Sequence, residues 1–289
     1  MANKELDAVT GVETTGHVWD GDIRELNKPL PRWWLYVLYA SIVWSIGYWI
    51  VYPAWPTIDG YTRGVLGYSQ RNVLANDIAS AKASQARFLE AIAAKPVDEI
   101  KNDPDLMEFV LRGGAAQFGN NCAPCHGKGA QGFKGYPNLN DDDWLWSGSF
   151  DGIEKTIRSG IRSGNPDGHD SAMPRFGLDQ VLTNAQISDV AEFVLSLSGG
   201  GTDAEAKTRG AAIFTEQCAA CHGAEGKGTA EMGAPNLADG IWLYGGRKAD
   251  VEESVRTGRG GVMPAWEGKL DPITIKMLSV YVHSLGGGK

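Results

Sequence analysis

The chain has 289 residues, room for about two domains of ordinary size, and its 43% hydrophobic and 21% charged content excludes a disordered chain. A net charge of −8 removes the electrostatic basis for nucleic-acid binding, so no nucleic acid is expected as a partner. All four cysteines, at 122, 125, 218 and 221, fall in two CxxC pairs, which leaves none for a structural disulfide framework.

Residues 1–32 are mostly polar. From Trp33 to Ile58 there is then no charged residue. Pro53 and Pro56 end the apolar helix and leave about 20 residues from Trp33 to Tyr52. At about 1.5 Å per residue these cover roughly 30 Å, one hydrocarbon core. Trp33, Trp34 and Tyr36 at one end, with Trp49, Tyr52 and Trp55 at the other, form the aromatic belts of a spanning helix. A cleaved signal peptide would begin nearer residue 1 with a shorter apolar core, and a buried soluble helix would carry some polar face. Residues 33–56 are therefore predicted to be a transmembrane anchor in contact with membrane lipid. Arg24, Lys28 and Arg32 lie close before it and only Arg63 close after it. The positive-inside rule makes residues 1–32 a cytoplasmic tail and sends everything beyond the anchor outside.

Residues 57–103 contain neither cysteine nor histidine. The alanine-rich stretch NVLANDIASAKASQARFLEAIAA has apolar residues at helical spacing and predicts one linker helix. Asp103-Pro104 reads as an N-cap and first helical residue, opening a helix that leads to the first CxxC.

From there the chain repeats itself. RGGAAQFGNNCAPCHGKGAQG begins one copy at Arg112, and RGAAIFTEQCAACHGAEGKG begins the other at Arg209. Each continues with PNL (Pro137-Asn138-Leu139 and Pro235-Asn236-Leu237) and then a tryptophan, Trp144 or Trp146 and Trp242. A helical segment follows (IEKTIRSGIRSG; VEESVRTGRGG), then Met173-Pro174 or Met263-Pro264, then an apolar closing helix. The boundaries this predicts are 104–200 and 201–289. In each copy histidine directly follows the second cysteine. Two thiols on one helical turn can add to the two vinyl groups of a haem, and the next residue then lies beneath the iron. Cys122, Cys125, Cys218 and Cys221 are thus candidates for covalent attachment of two haem c groups, with His126 and His222 as proximal ligands. A zinc site would have to join the two pairs across 92 intervening residues and would leave both histidines unexplained. A redox dithiol does not require the histidine. Met173 and Met263, each before proline in a Gly-rich stretch, are the candidate sixth ligands, and a thioether there raises the potential and closes the iron to oxygen. His169 and Met232 are the rivals. Met107 and Met277 fall in helical periods and read as core, His283 as a surface helix residue, and His17 as a tail residue that binds nothing.

With these motifs in hand, the chain resembles the membrane-anchored dihaem cytochrome c subunit of cbb3-type (C-type haem-copper) cytochrome c oxidases. The specific part is WDGDIRELNKPLPRWW leading into a single anchor; the two CxxCH copies with their MP motifs complete it. The resemblance implies an all-α fold, with one N-terminal transmembrane helix followed by two tandem cytochrome c-like domains. It implies haem c at Cys122, Cys125, His126 and Met173, and at Cys218, Cys221, His222 and Met263. It also implies a bacterial inner-membrane location with periplasmic haem domains. As partners it implies a donor cytochrome c, a monohaem cytochrome c subunit and the catalytic haem-copper subunit. The single anchor holds no histidine, so the chain is expected to carry electrons rather than reduce oxygen. The competing classes are a dihaem cytochrome serving another respiratory enzyme and a dihaem peroxidase. Ser198–Thr202 reads as a short flexible hinge, from which the second domain is expected to accept electrons and the first to pass them on; the alternative is that both haems sit side by side and either accepts.

Overall fold

The structure is a computed structural model that describes residues 5–286, and the chain divides near residue 84 into two compact units. In the first unit, β1 (Thr14–Trp19) and β2 (Ile23–Leu26) pair antiparallel. They turn through Asp20 and Gly21, both in the left-handed region at φ 51° and 88°. Apolar periodicity does not predict this hairpin; its signal is the Asp-Gly step between Val18-Trp19 and Ile23. α1 (Arg32–Val51) follows Pro31 and buries none of its residues. Past its end, β3 (Pro56–Thr57) pairs with β4 (Gly60–Tyr61). The chain then folds back so that the Val65 and Leu66 amides donate to the carbonyls of Ile50 and Val51, occupying acceptors that a helix end leaves open.

α2 (Gln70–Ala94) is the predicted linker helix and crosses into the second unit. α3 (Val97–Lys101) is a single turn. α4 (Pro104–Asn121) starts as the sequence predicts: the Asp103 carboxylate accepts from the Leu106 amide and Pro104 stands at the first helical position. The two copies then lay out the same elements. The first has α5 (Ala123–His126), α6 (Phe150–Ser159) and α7 (Asn184–Leu197). The second has α8 (Ala204–Gln217), α9 (Ala219–His222), α10 (Lys248–Thr257) and α11 (Pro272–Ser284).

The packing does not follow the sequence division at residue 200. α11 packs on α4 and α6, whereas α7 packs on α8 and α10. Each copy's closing helix thus seats itself on the other copy, and the core separates into crossed clusters. One gathers Phe118, Ile153, Ile157, Ile275 and Leu278; the other gathers Phe176, Ile187, Val190, Phe214 and Val251. Both crossings need a glycine. A Cβ on Gly114 would lie 2.5 Å from Cβ of Tyr281, and one on Gly210 would lie 2.2 Å from the carbonyl oxygen of Asp189. One turn further along, Phe118 faces Tyr281 and Phe214 faces Phe193, with ring centroids 5.5 and 5.1 Å apart.

The expected hinge is tied down. Gly200 donates to the Leu195 carbonyl, the Thr202 amide donates to Glu192 Oε2 at 3.1 Å, and Glu192 also holds Lys248 Nζ at 2.8 Å. The six residues between α7 and α8 thus form a short, hydrogen-bonded link, which removes the geometric ground for a freely swinging second domain.

Candidate functional site

Each CxxCH sits where a long helix ends and a single tight turn begins. Cys122 closes α4 and its carbonyl accepts from the Cys125 and His126 amides at 3.1 and 2.9 Å; Cys218 does the same for Cys221 and His222. Gly127 and Gly223, at φ 82° and 77°, let the chain turn back after the histidine. The PNL motif, which the sequence shows only as repeated, has a structural role here. Nδ1 of His126 lies 3.2 Å from the Pro137 carbonyl oxygen, and Nδ1 of His222 lies 3.1 Å from that of Pro235. A carbonyl can only accept, so Nδ1 carries the proton and Nε2 keeps its lone pair. Burial pulls both histidine pKa values down, with the proline carbonyl opposing, which favours the neutral, ligating form. Burial, with the second cysteine adding, pushes the Cys122 and Cys218 thiols up to about 11.

The methionines change partners. Met173 packs with the cluster that contains Cys218 and Phe214, and Met263 with the cluster that contains Phe118 and borders Cys122. The structure therefore brings Met173 to the His222 site and Met263 to the His126 site, not each to the histidine of its own copy. The repeated R-S/T-G step makes room for the exchange. A Cβ on Gly160 would stand 2.5 Å from the Met263 carbonyl oxygen, and one on Gly258 would stand 2.5 Å from that of Met173. Met263 exchanges both backbone hydrogen bonds with Ile161, at 3.0 and 2.9 Å, and the Met173 amide donates to Arg259 at 3.1 Å.

At the second site these elements enclose a cavity of about 550 Å³, lined in part by Cys218, Cys221, His222 and Met173. The first copy contributes to the same wall through Tyr136, Asp143 and Arg162. Asp143 is pushed up to about 6 by burial, then by Asp239 and Asp141. Two thiols beside a neutral imidazole, with a thioether on the same cavity, form a donor set that fits haem c. His169 stacks on Trp146 at 4.0 Å and shares a hydrogen bond with Thr156. Met232 is 43% exposed. Met277 is buried in α11, and His283 stacks on Phe150 at 3.7 Å. His17 is exposed, near Glu25.

Helix order, attachment turns and crossed closing helices define a chain with two cytochrome c domains behind one apolar helix fit to be a single-pass anchor. Residues 11–59 match the family described as the N-terminal domain of cytochrome oxidase-cbb3, FixP. Residues 111–198 match cytochrome c, and residues 205–282 match cytochrome c oxidase, cbb3-type, subunit III. The chain is 53% identical over 291 residues to the cbb3-type cytochrome c oxidase subunit FixP of Bradyrhizobium sp. (strain ORS 278), covering 99% of both chains. It is 51% identical over 296 residues to the subunit CcoP of Azospirillum brasilense, covering 100% of both. It belongs to the FixP/CcoP family of cbb3-type cytochrome c oxidase subunits. Cytochrome c domains carry covalently bound haem c, and the subunit is part of an oxidase.

Proposed function

We propose that this chain is the dihaem electron relay of its oxidase, with one haem c at Cys122 and Cys125 and one at Cys218 and Cys221. His126 with Met263, and His222 with Met173, would hold the two haem irons. When bound, haem c supplies a one-electron ferric/ferrous couple. The chain's own residues fix that couple: Pro137 and Pro235 hold each imidazole in one tautomer, and each methionine closes its site to water and oxygen. One electron enters from a donor cytochrome c and one leaves toward the monohaem cytochrome c subunit and the catalytic haem-copper subunit. The charge-free run from Trp33 to Ile58 contains no histidine, so the chain itself reduces no oxygen. Its N-terminus is cytoplasmic, and its haem domains face the periplasm of a bacterial inner membrane.

The observation that supports this reading is the pairing of each Nδ1-anchored histidine site with the methionine of the opposite copy. The test uses Cys218→Ala/Cys221→Ala in the assembled complex, leaving one haem at the first site. Pyridine haemochrome analysis should fall from two haems per chain to one. Met263→Ala in that background should abolish the weak methionine-to-iron charge-transfer band at the red edge of the oxidised spectrum, and Met173→Ala should leave it. The reverse result restores pairing within each copy. Protease added to spheroplasts should digest the haem domains and spare residues 1–32; digestion of the tail alone overturns the topology.

A further inference from the structure

We propose that Arg162 is a positioning residue that straps both methionine loops together, so that a single guanidinium sets the axial-ligand geometry of both haem sites. The proposal rests on the His/Met reading above. Arg162 Nε donates to the Gly261 carbonyl at 2.6 Å, and Nη1 donates to the Ser171 carbonyl. Gly261 stands two residues before Met263, and Ser171 stands two residues before Met173. The two acceptors are thus the same position in the two copies, one on each methionine loop. The loops run side by side here, because the Met173 amide donates to the Arg259 carbonyl between them. Ser171 is held from its other side as well, its hydroxyl donating to the Met232 carbonyl. The arginine side chain crosses Gly260, where a Cβ would come within 3.4 Å of its Cδ.

The backbone beneath the guanidinium is fixed. Arg162 has φ 50°, a left-handed conformation that is uncommon for a long side chain and persists only where the surroundings over-determine it. Those surroundings are the Ile161–Met263 exchange just before it and its own amide donating to the His169 carbonyl. The second copy has no equivalent strap, since Gly260 occupies the place that Gly160, aligned with Gly258, assigns to Arg162. An arginine suits the task because its planar fork offers several donors at fixed angles. A lysine presents one flexible point charge and cannot hold two diverging carbonyls in the same way.

The rival role is purely electrostatic. Arg162 also lines the cavity of the second site, where its charge alone would raise that site's potential. Arg162→Lys and Arg162→Gln in the haem-loaded full chain separate the two. The readouts are the methionine-to-iron band and a potentiometric titration that resolves both haems. The strap predicts that both variants lose more than half of the band and that both midpoint potentials fall, since loss at one site alone removes half at most. A silent Arg162→Lys with a single shifted potential in Arg162→Gln is the electrostatic outcome and overturns the strap. An undiminished band in both variants overturns it too. If the unmodified chain shows no such band, the His/Met reading fails first and the strap with it. If Arg162→Gln does not fold, Arg162→Lys, which retains the charge, still decides.

Discussion

The two modules hold the same parts in different surroundings. Around the first site the crossing helix is braced by apolar packing: Met277 and Val280 of α11 join Ile92, Ile100, Leu106 and Val110 in a further cluster. Lys276 Nζ reaches out of α11 to the carbonyls of Ile92 and Lys95, at 2.9 and 2.6 Å. Around the second site, α7 is clasped by charge. Arg209 makes a two-pronged bond to Asp189 at 2.8 and 2.7 Å, and Glu192 holds both Lys248 and the Thr202 amide. An inherited repeat therefore specifies the helix crossing, while what surrounds that crossing is free to diverge. The first module should be sensitive to lost volume, the second to salt and acid.

The largest effect should come from breaking a crossing outright. Gly210→Val pushes a side chain against the Asp189 backbone, which cannot give way, and should cost about 3 kcal/mol or more. The methionine-to-iron band of the second site and the thermal unfolding of its module should both fail first. Gly114→Val should do the same at the first. If either variant melts like the parent, the close crossing is wrong. Next in size, Lys276→Met removes charged hydrogen bonds to two carbonyls, a loss of about 2 kcal/mol. It should lower the unfolding midpoint and perturb the first haem's spectrum while leaving the second's unchanged. The smallest is Glu192→Gln. Lys248 and the Thr202 amide hold the Glu192 carboxyl below its ordinary range, against the opposing pull of burial. A depressed carboxylate pKa adds stability above the unfolded value of 4.5, and that stability is lost as pH falls through the folded value. The variant should therefore be less stable at neutral pH by about 1 kcal/mol or less, given the exposure of Lys248. The gap to the parent should close in acid. A gap that stays constant with pH would show that the clasp contributes nothing through charge.

Much of this was legible because the chemistry is local. CxxCH, the Asp103-Pro104 start and the charge-free run need only neighbours in sequence to be read, and each stands where spacing puts it. The crossing was not legible from the repeat itself. α7 and α11 close their copies with the same apolar pattern, so either could seat on either site, and periodicity cannot tell them apart. The signal lay in the short link from α7 to α8. Helices joined by so short a link stay close in space, which favours α7 on α8 and leaves α4 to receive α11. The Asp20-Gly21 hairpin escaped for a different reason, since polar strands outside the core lack the alternation that marks a buried one. Arg162 stands out in no motif; the role proposed for it comes from the carbonyls of Ser171 and Gly261, which lie far apart in the chain.

Crossing also gives the molecule an order in time. The turn at Cys122–His126 leaves the ribosome early, yet the methionine that packs with its cluster is Met263, and the helix packed on α4 ends at Ser284. At about 5–20 residues per second, that helix arrives roughly 10–30 s later. In between, on the ligand set proposed above, the first site would have its histidine but not yet its methionine. The second site, whose methionine precedes its cysteines, has its lid waiting before its floor is made. The half of the chain that is made first is therefore finished last.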